Sequence, residues 1–488
     1  MSLTQNLPFE LAQEFGIVPI ADEGSAISVA TAPHMTVAAL SAARQRLGRP
    51  LRTQAVDAGR FRELITQAYS VSVATQGAAN QVAASATRAS PSQADLLSSG
   101  GEDSDAPAVR IVSELLRDAL ARGASDIHLD ATEQGGRVRF RVDGVLADAR
   151  NTDAQTHAAL VARCKVMAVL DIAERRLPQD GRLQVVIAGH KVDVRVATLP
   201  TQHGERVVLR LLDTSAARLD LAALGFDDRA LDALRQAVRM PHGLVLVTGP
   251  TGSGKTTTLY AAVSELDRER LNVVSVEDPV EYALDRVAQT QVNPRIELTF
   301  ARALRSILRH DPDVIIVGEI RDRETAEIAI QASLTGHLVL ASLHTNTAVG
   351  AVTRLRDMGI EPFLLSSSMI GVLAQRLVRV LDPETREAYA ATPTELAAFG
   401  LPANTQVTLY RPRAGLPGKF AGYKGRTGVY ELVLVDDAMR KLIHEGASEA
   451  VLEAEARKRT PSMSADGWAK CVAGITSVDE VLRVTRED

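Results

Sequence analysis

Cysteine is nearly absent: this chain of 488 residues has two, Cys164 and Cys471, far apart and with no CxxC pair anywhere. No redox motif or thiolate metal pair is therefore present, and two reduced core thiols of a cytosolic enzyme are expected. Aromatic residues make up only 3%, too few for base-stacking platforms. No charge of one sign dominates. The net charge is −5 with acids and bases interspersed, which gives no electrostatic footprint for nucleic acid. No apolar run approaches the ~20 residues a membrane span needs. The longest, such as Val314–Val317 and Leu338–Leu343, fit buried strands. Met1 to Phe9 lacks a basic start and an apolar stretch, so no secretory signal is expected.

What is present is ordinary globular composition, 45% hydrophobic, over a length that implies two to four domains. Residues 76–106 are rich in Ala, Ser, Gln and Gly and end in Glu102-Asp103-Ser104-Asp105. Such a stretch cannot bury enough apolar surface to offset its ordering entropy, so a linker is expected over 76–108. Before it, residues 1–75 suggest a small α/β docking domain: a helix around Phe9 to Phe15, strands at Ile17–Ile20 and Ala26–Ala30, and helices Val37–Leu47 and Phe61–Tyr69 flanking a short extended piece. After it, Val109, Val112, Leu115, Leu116, Ala119 and Leu120 recur at helical spacing. Arg137 to Val142 then alternates as a half-buried strand, and Asp143-Gly144 signals a hairpin. Lys191–Ala197 and Arg206–Leu212 continue the pattern, so 109–215 is expected to be an α+β domain with a mainly antiparallel sheet. From residue 225 to 488, apolar strands alternate with helices, as in a parallel α/β sheet, and Ala438–Val484 suggests closing helices.

One motif is complete. Gly249-Pro-Thr-Gly-Ser-Gly-Lys255-Thr256 matches G-x-x-x-x-G-K-[ST], with an apolar strand before it and a helix-forming run after it. Its glycines let backbone N–H groups curl around phosphate, and the helix start adds its positive dipole end. The nucleotide-binding set is thus Gly249, Pro250, Thr251, Gly252, Ser253, Gly254, Lys255, Thr256 and Thr257. Lys255 is expected to reach the β- and γ-phosphates, and the Thr256 hydroxyl to meet Mg²⁺. Val314–Val317 followed by Gly318-Glu319 has the form of a strand delivering an acid to the ligand-binding edge of such a sheet. Gly318 stands where many P-loop proteins carry Asp, leaving Glu319 for the metal shell or the attacking water. Val273–Val276 followed by Glu277-Asp278-Pro279-Val280-Glu281 repeats that logic, so either Glu277 or Glu319 could activate water. His337 and His344 bracket the strand Leu338–Leu343; each is equally a γ-phosphate partner or a polar cap.

These segments carry a resemblance. Gly249–Tyr260, Val276–Tyr282, Asp311–Asp322 and Thr335–His344, with Ala124-Ser-Asp-Ile-His128, Leu177–Arg182 and Gly204-Glu-Arg206 before them, resemble the assembly ATPases of type II secretion and type IV pilus systems. The type II secretion branch, the general secretion pathway protein E family, is the nearer. The resemblance covers about 109–485 strongly and the first 75 residues more loosely. It implies a RecA-like P-loop NTPase domain preceded by a PAS-like α+β domain and the small N-terminal α/β domain.

The resemblance implies roles that spacing alone could not. Glu319 matches the catalytic glutamate. Arg195 and Arg210 match arginines that reach the nucleotide from the middle domain, and Arg305 and Arg309 match a second pair. Arginine suits phosphate because its planar fork bonds it bidentately. The family commonly carries two CxxC zinc pairs after the His337–His344 segment, in a module expected here at about 380–430, where this chain has no cysteine. No zinc is therefore expected, and packing must hold the module, which the chain leaves through Arg426–Glu431. ATP and Mg²⁺ are the implied cofactors. A homo-hexamer is implied, cytoplasmic and peripheral on the inner membrane. It would dock on the cytoplasmic domain of a linker protein and on a polytopic platform protein, through residues 1–75. A type IV pilus assembly ATPase is the alternative. A RecA-type nucleic-acid translocase is further off, since the charge and sparse aromatics argue against a DNA channel.

Overall fold

The computed structural model describes residues 15–22, 26–33, 35–56, 61, 64, 107–187, 190–213, 220–416 and 422–485. Most of the N-terminal helix expected before residue 15, most of Phe61–Tyr69 and the linker at 76–106 lie outside the described residues. The chain divides into two units, Met1–Ser92 and Gln93–Asp488.

In the first unit, strands β1 (Ile17–Asp22), β2 (Ile27–Thr31) and β3 (Leu51–Ala55) form one sheet, and helix α1 (Val37–Leu47) joins β2 to β3. The β1–β2 pair is antiparallel and β2–β3 parallel, so α1 is a crossover helix. Thr36 caps its start, accepting from the Ala39 N–H at 3.1 Å. Gly48 ends it in the left-handed region at φ 70°. Ile17, Val18, Ile27, Val29, Ala43 and Leu47 are buried between helix and sheet.

The second unit opens with α2 (Pro107–Ala121), then β4 (Ala124–Thr132), β5 (Gly135–Val142), β6 (Val145–Thr152), α3 (Ala154–Met167), β7 (Gln179–Ile187), β8 (His190–Thr201) and β9 (Gly204–Asp213). The six strands run in the order β6-β5-β4-β9-β8-β7, every pair antiparallel. Asp143 (φ 48°) and Gly144 (φ 83°) make the hairpin turn between β5 and β6. One sheet face, with Ile127, Leu129, Phe140, Val192, Val194 and Val196, packs on the apolar stripes of α2 and α3. The other face is charged.

The rest of the unit comprises α4 (Asp228–Val238), β10 (Gly243–Thr248), α5 (Lys255–Ser264), β11 (Val273–Glu277), β12 (Val287–Gln291), α6 (Phe300–Ile307), β13 (Val314–Val317), α7 (Arg323–Leu334), β14 (Leu338–Leu343), α8 (Ala348–Asp357), α9 (Pro362–Ser368) and β15 (Met369–Leu381). After these come β16 (Arg386–Ala390), α10 (Pro393–Ala398), β17 (Thr408–Pro412), β18 (Tyr423–Leu434) and four closing helices, α11 (Asp437–His444), α12 (Glu449–Ala456), α13 (Met463–Val472) and α14 (Val478–Thr485). The seven-stranded sheet runs β12-β11-β13-β14-β10-β15-β18, all parallel except β15–β18. Every residue of β10, β11, β13 and β14 is buried. Helices cover both faces, which is why these strands are continuous apolar runs instead of alternating ones. Chain polarity then brings the ends of β10, β13 and β14 to one edge.

The cysteine-free module is β16, β17 and α10. Leu396 and Leu409 are buried, and the Thr392–Glu395 capping box starts α10. Arg411 lies 4.8 Å from the Tyr389 ring centroid and Arg386 4.8 Å from that of Tyr410. Phe399 meets Trp468 of α13 at 4.8 Å. Arginine–aromatic stacking ties the two strands of this module together, and Phe399 anchors it to the closing helices. Both cysteines lie buried elsewhere, their thiols pushed up to about 12 by burial and so unreactive. Leu409→Ala is expected to cost about 2–5 kcal/mol, seen as a lower chemical-denaturation midpoint. The wild-type midpoint should be the same with and without a chelator.

Candidate active site

The loop 249–254 leaves β10 and enters α5 through three glycines with positive φ: Gly249 (151°), Gly252 (79°) and Gly254 (91°). At Gly249 a side chain is also barred by contact, because a Cβ would lie 2.5 Å from the Gln375 carbonyl. Gly254 is the N-cap of α5 and offers no side-chain acceptor, so the first-turn N–H groups stay available to an anion. The Ser253 hydroxyl is buried without a partner, and the Thr256 side chain is half-buried. Lys255 folds back on the loop, donating to the carbonyls of Gly249 at 2.8 Å and Pro250 at 3.1 Å. Burial pulls its pKa down to about 8, against the pull of Glu319.

Gln375 on β15 holds this loop. It is 2% exposed, and its Nε2 donates to the Ser253 carbonyl at 2.7 Å while its Oε1 accepts from the Thr258 hydroxyl at 2.9 Å. On the other side, the Thr345 N–H donates to Thr248 Oγ1 at 2.8 Å, fixing the end of β14 to the end of β10.

Glu319 follows β13 one residue on, after Gly318. Its Oε1 is 2.5 Å from Arg321 Nη2 and its Oε2 is 3.3 Å from His344 Nε2. The Ser342 hydroxyl donates to the Gly318 carbonyl at 2.5 Å and the Ile320 N–H to the Ser342 carbonyl at 2.9 Å, pinning this turn to β14. Gly318 has a steric reason. A Cβ there would lie 3.2 Å from both Glu277 Cα and the Val276 carbonyl, so an Asp would crowd β11. Glu277 is held differently. It is 3% exposed and takes hydrogen bonds from Tyr260, from Ser275 at 2.5 Å and from Gln289 at 3.1 Å. Burial and the Glu277 bond push the Tyr260 hydroxyl pKa up.

Among the sequence candidates, Lys255, Glu319 and His344 meet at one edge. His337 does not join them. It precedes β14, at the opposite end of a six-residue strand that spans on the order of 20 Å, and its Nδ1 bonds the Ala332 carbonyl at 2.9 Å as a local cap. Arg305 pairs with Glu324 at 2.5 Å, and Arg309 donates to the Arg305 carbonyl at 2.8 Å; within one chain neither contacts the loop. Arg195 crosses from β8 to the segment after β11, donating to Glu281 at 2.8 Å and to the Val280 carbonyl at 3.3 Å. Arg210 donates to Asp126 at 3.1 Å. Arg182, Arg195, Arg210, Asp126 and Arg141 stand opposite one another on β7, β8, β9, β4 and β5, so they form one row on the charged face. Sequence reasoning missed Gln375, Arg321 and the Tyr260–Gln289 pair. Gln375 left one signal, a polar residue inside an apolar strand.

The loop fits a phosphate chain: three turned glycines, an uncapped helix start, a lysine and an orphan hydroxyl. Among the described residues no group of three acidic, His or Cys side chains could hold a metal alone. Magnesium does not need one, since it takes one carboxylate or hydroxyl and otherwise phosphate oxygens and water. Thr256 and Glu319 suit that role.

Fold and site define a P-loop NTPase with a parallel α/β core and an arginine-bearing α+β domain before it. The chain belongs to the type II/IV secretion system protein family, whose model matches residues 101–483. A second model, for a domain of GSPII protein E, matches residues 6–69. The chain is 50% identical over 491 residues to the type II secretion system protein E of Pseudomonas aeruginosa, covering 99% of this chain and 97% of that one. It is 55% identical over 397 residues to the type II secretion system ATPase E of Vibrio cholerae, covering 81% and 78%. Among solved structures, the pilus retraction motor PilT with bound ADP superposes with a TM-score of 0.51 at 25% identity, over 77% of this chain and 96% of that one. The Legionella pneumophila ATPase DotB shares the fold, with a TM-score of 0.57 at 22% identity over 77% and 95%.

Binding of a polyphosphate should raise the Lys255 pKa, because nearby negative charge favours the ammonium form. Near pH 8 the free protein is partly neutral at this site, so ADP binding should take up a fraction of a proton. Calorimetry in buffers of different ionisation enthalpy should show that uptake at about pH 8, and Lys255→Arg should abolish it.

Proposed function

We propose that this chain is the ATP-hydrolysing motor subunit of a type II secretion apparatus. It would work as a homo-hexamer on the cytoplasmic face of the inner membrane, docked through its first 75 residues on the linker protein's cytoplasmic domain and the polytopic platform protein. The observation that carries the reading is Glu319, delivered by a buried strand to the loop edge and oriented on both oxygens by Arg321 and His344. A carboxylate held there can align water and accept its proton as the terminal phosphate departs. Magnesium, when bound, would neutralise phosphate charge beside Thr256 and Glu319. Glu277, saturated by three donors, is proposed as a positioning residue that sets the β11 edge.

The mechanical step is proposed to run through Arg195. In this state Glu281 occupies it. A triphosphate on the loop offers the guanidinium a stronger bidentate acceptor, and exchanging Glu281 for phosphate would draw the α+β domain against the P-loop domain. Hydrolysis removes the γ-phosphate and releases it. Among the described residues no helix is long and apolar enough to cross a membrane.

Steady-state ATPase assays with parallel nucleotide binding test this. Lys255→Ala should lose both. Glu319→Gln should bind ATP but turn over ~10²–10⁴-fold more slowly, and normal turnover would move the role to another acid. Arg195→Ala should lower the rate at least ~10-fold while sparing ADP binding; an unchanged rate would end the closure step.

A further inference from the structure

Arg376 is the next residue after the Gln375 that holds the loop, and it has no part in the hydrolytic or closure steps. Its guanidinium is half-buried, yet among the described residues no carboxylate pairs with it. All its hydrogen bonds go to neutral acceptors: Nη1 to the Gln375 carbonyl at 3.2 Å, and Nη2 to the Asn346 carbonyl at 3.3 Å and the Asn346 Oδ1 at 3.0 Å. Burial lowers its pKa, but a guanidinium keeps its proton in proteins. The positive charge therefore stays, partly desolvated and uncompensated.

Its surroundings add to that charge. Lys255 is close enough that Arg376 helps depress the lysine's pKa. The nearby carboxylate, Glu319, is already engaged by Arg321 and His344. Two half-buried cations with so little compensation are costly unless an anion of more than one charge completes the site. The other polar groups packed here, Asn346 and Gln375, are neutral.

Topology says which part of such an anion Arg376 meets. Strand order places β15 on one side of the loop strand β10, and β14 and then β13 on the other. Glu319, at the end of β13, marks the side where a terminal phosphate would be attacked. Arg376 starts from the opposite side: its Nη1 sits on the Gln375 carbonyl, which abuts Gly249 at the base of the loop, and its Nη2 reaches across to Asn346.

We propose that Arg376 binds the nucleotide's phosphate chain from the β15 side, contacting phosphates that ADP and ATP share and not the γ-phosphate. The assignment rests on the P-loop reading above. It makes Arg376 a source of uniform binding, which shows in KM more than in kcat. A charge-assisted bond to phosphate of this kind corresponds to roughly 10–100-fold in affinity.

The test uses the full chain, with a fluorescent ADP and a magnesium-bound non-hydrolysable ATP analogue as probes. Arg376→Gln keeps donors for Asn346 but removes the charge, and should weaken both probes by the same factor, at least ~10-fold, with kcat falling less than KM rises. Arg376→Lys keeps the charge but loses the fork, and should fall between wild type and the Gln variant. Unchanged ADP affinity in both variants would overturn the assignment, as would weakening of the ATP analogue alone. If Arg376→Gln fails to fold, Arg376→Lys decides alone, by equal weakening of both probes or by none. Lys255→Ala separates the two readings. If it still binds both probes as wild type does, the nucleotide site itself is wrong; if it loses them while the Arg376 variants do not, only Arg376 is misassigned.

Discussion

Glycines that curl a backbone around phosphate bring no side chains to keep it curled. The loop at 249–254 therefore depends on groups outside it. The buried amide of Gln375 supplies both ends of that support, giving a proton to Ser253 and accepting one from Thr258. The helix that follows the loop is thereby anchored to β15, and β15 runs on into the module that packs under the closing helices. The Thr248–Thr345 contact does the same on the other flank, joining the loop strand to the turn that carries His344.

Two acids arrive at this edge from similar strands, and their surroundings separate them. Glu277 is buried with three donors, a state suited to fixing geometry. Glu319 is oriented by two cationic or protonatable partners at the mouth of the loop, a state suited to acting on water. The glycine at 318 belongs to this division. By leaving no side chain against β11 it lets the two strands approach. The α+β domain adds a row of arginines whose compensation within the chain is partial, Asp126 for Arg210 and Glu281 for Arg195. The second of these is the pair that the proposed closure step would exchange for phosphate.

Much of this was legible in the sequence. The P-loop, the apolar strands and the alternation of β5 and β8 follow from spacing alone, because burial on both faces or on one leaves distinct patterns. The hairpin at Asp143-Gly144 follows from turn chemistry. Spacing could not rank Glu277 against Glu319, since the difference lies in partners contributed by β12 and α5. Nor could it place His337 and His344 on opposite edges of the sheet. Both bracket the same strand, and only a parallel strand direction tells which end faces the loop. Gln375 and Arg376 were invisible because their meaning depends on β15 lying beside β10, a neighbour more than a hundred residues away.

The central claim is that a nucleotide on this loop takes Arg195 from Glu281 and so couples hydrolysis to domain movement. The most direct measurement is a structure of the chain with magnesium and a non-hydrolysable ATP analogue. The account predicts the phosphate chain cradled by 249–256 between Glu319 and Arg376, with Arg195 bonded to phosphate and parted from Glu281. Analogue bound on the loop with the Arg195–Glu281 pair intact would contradict it.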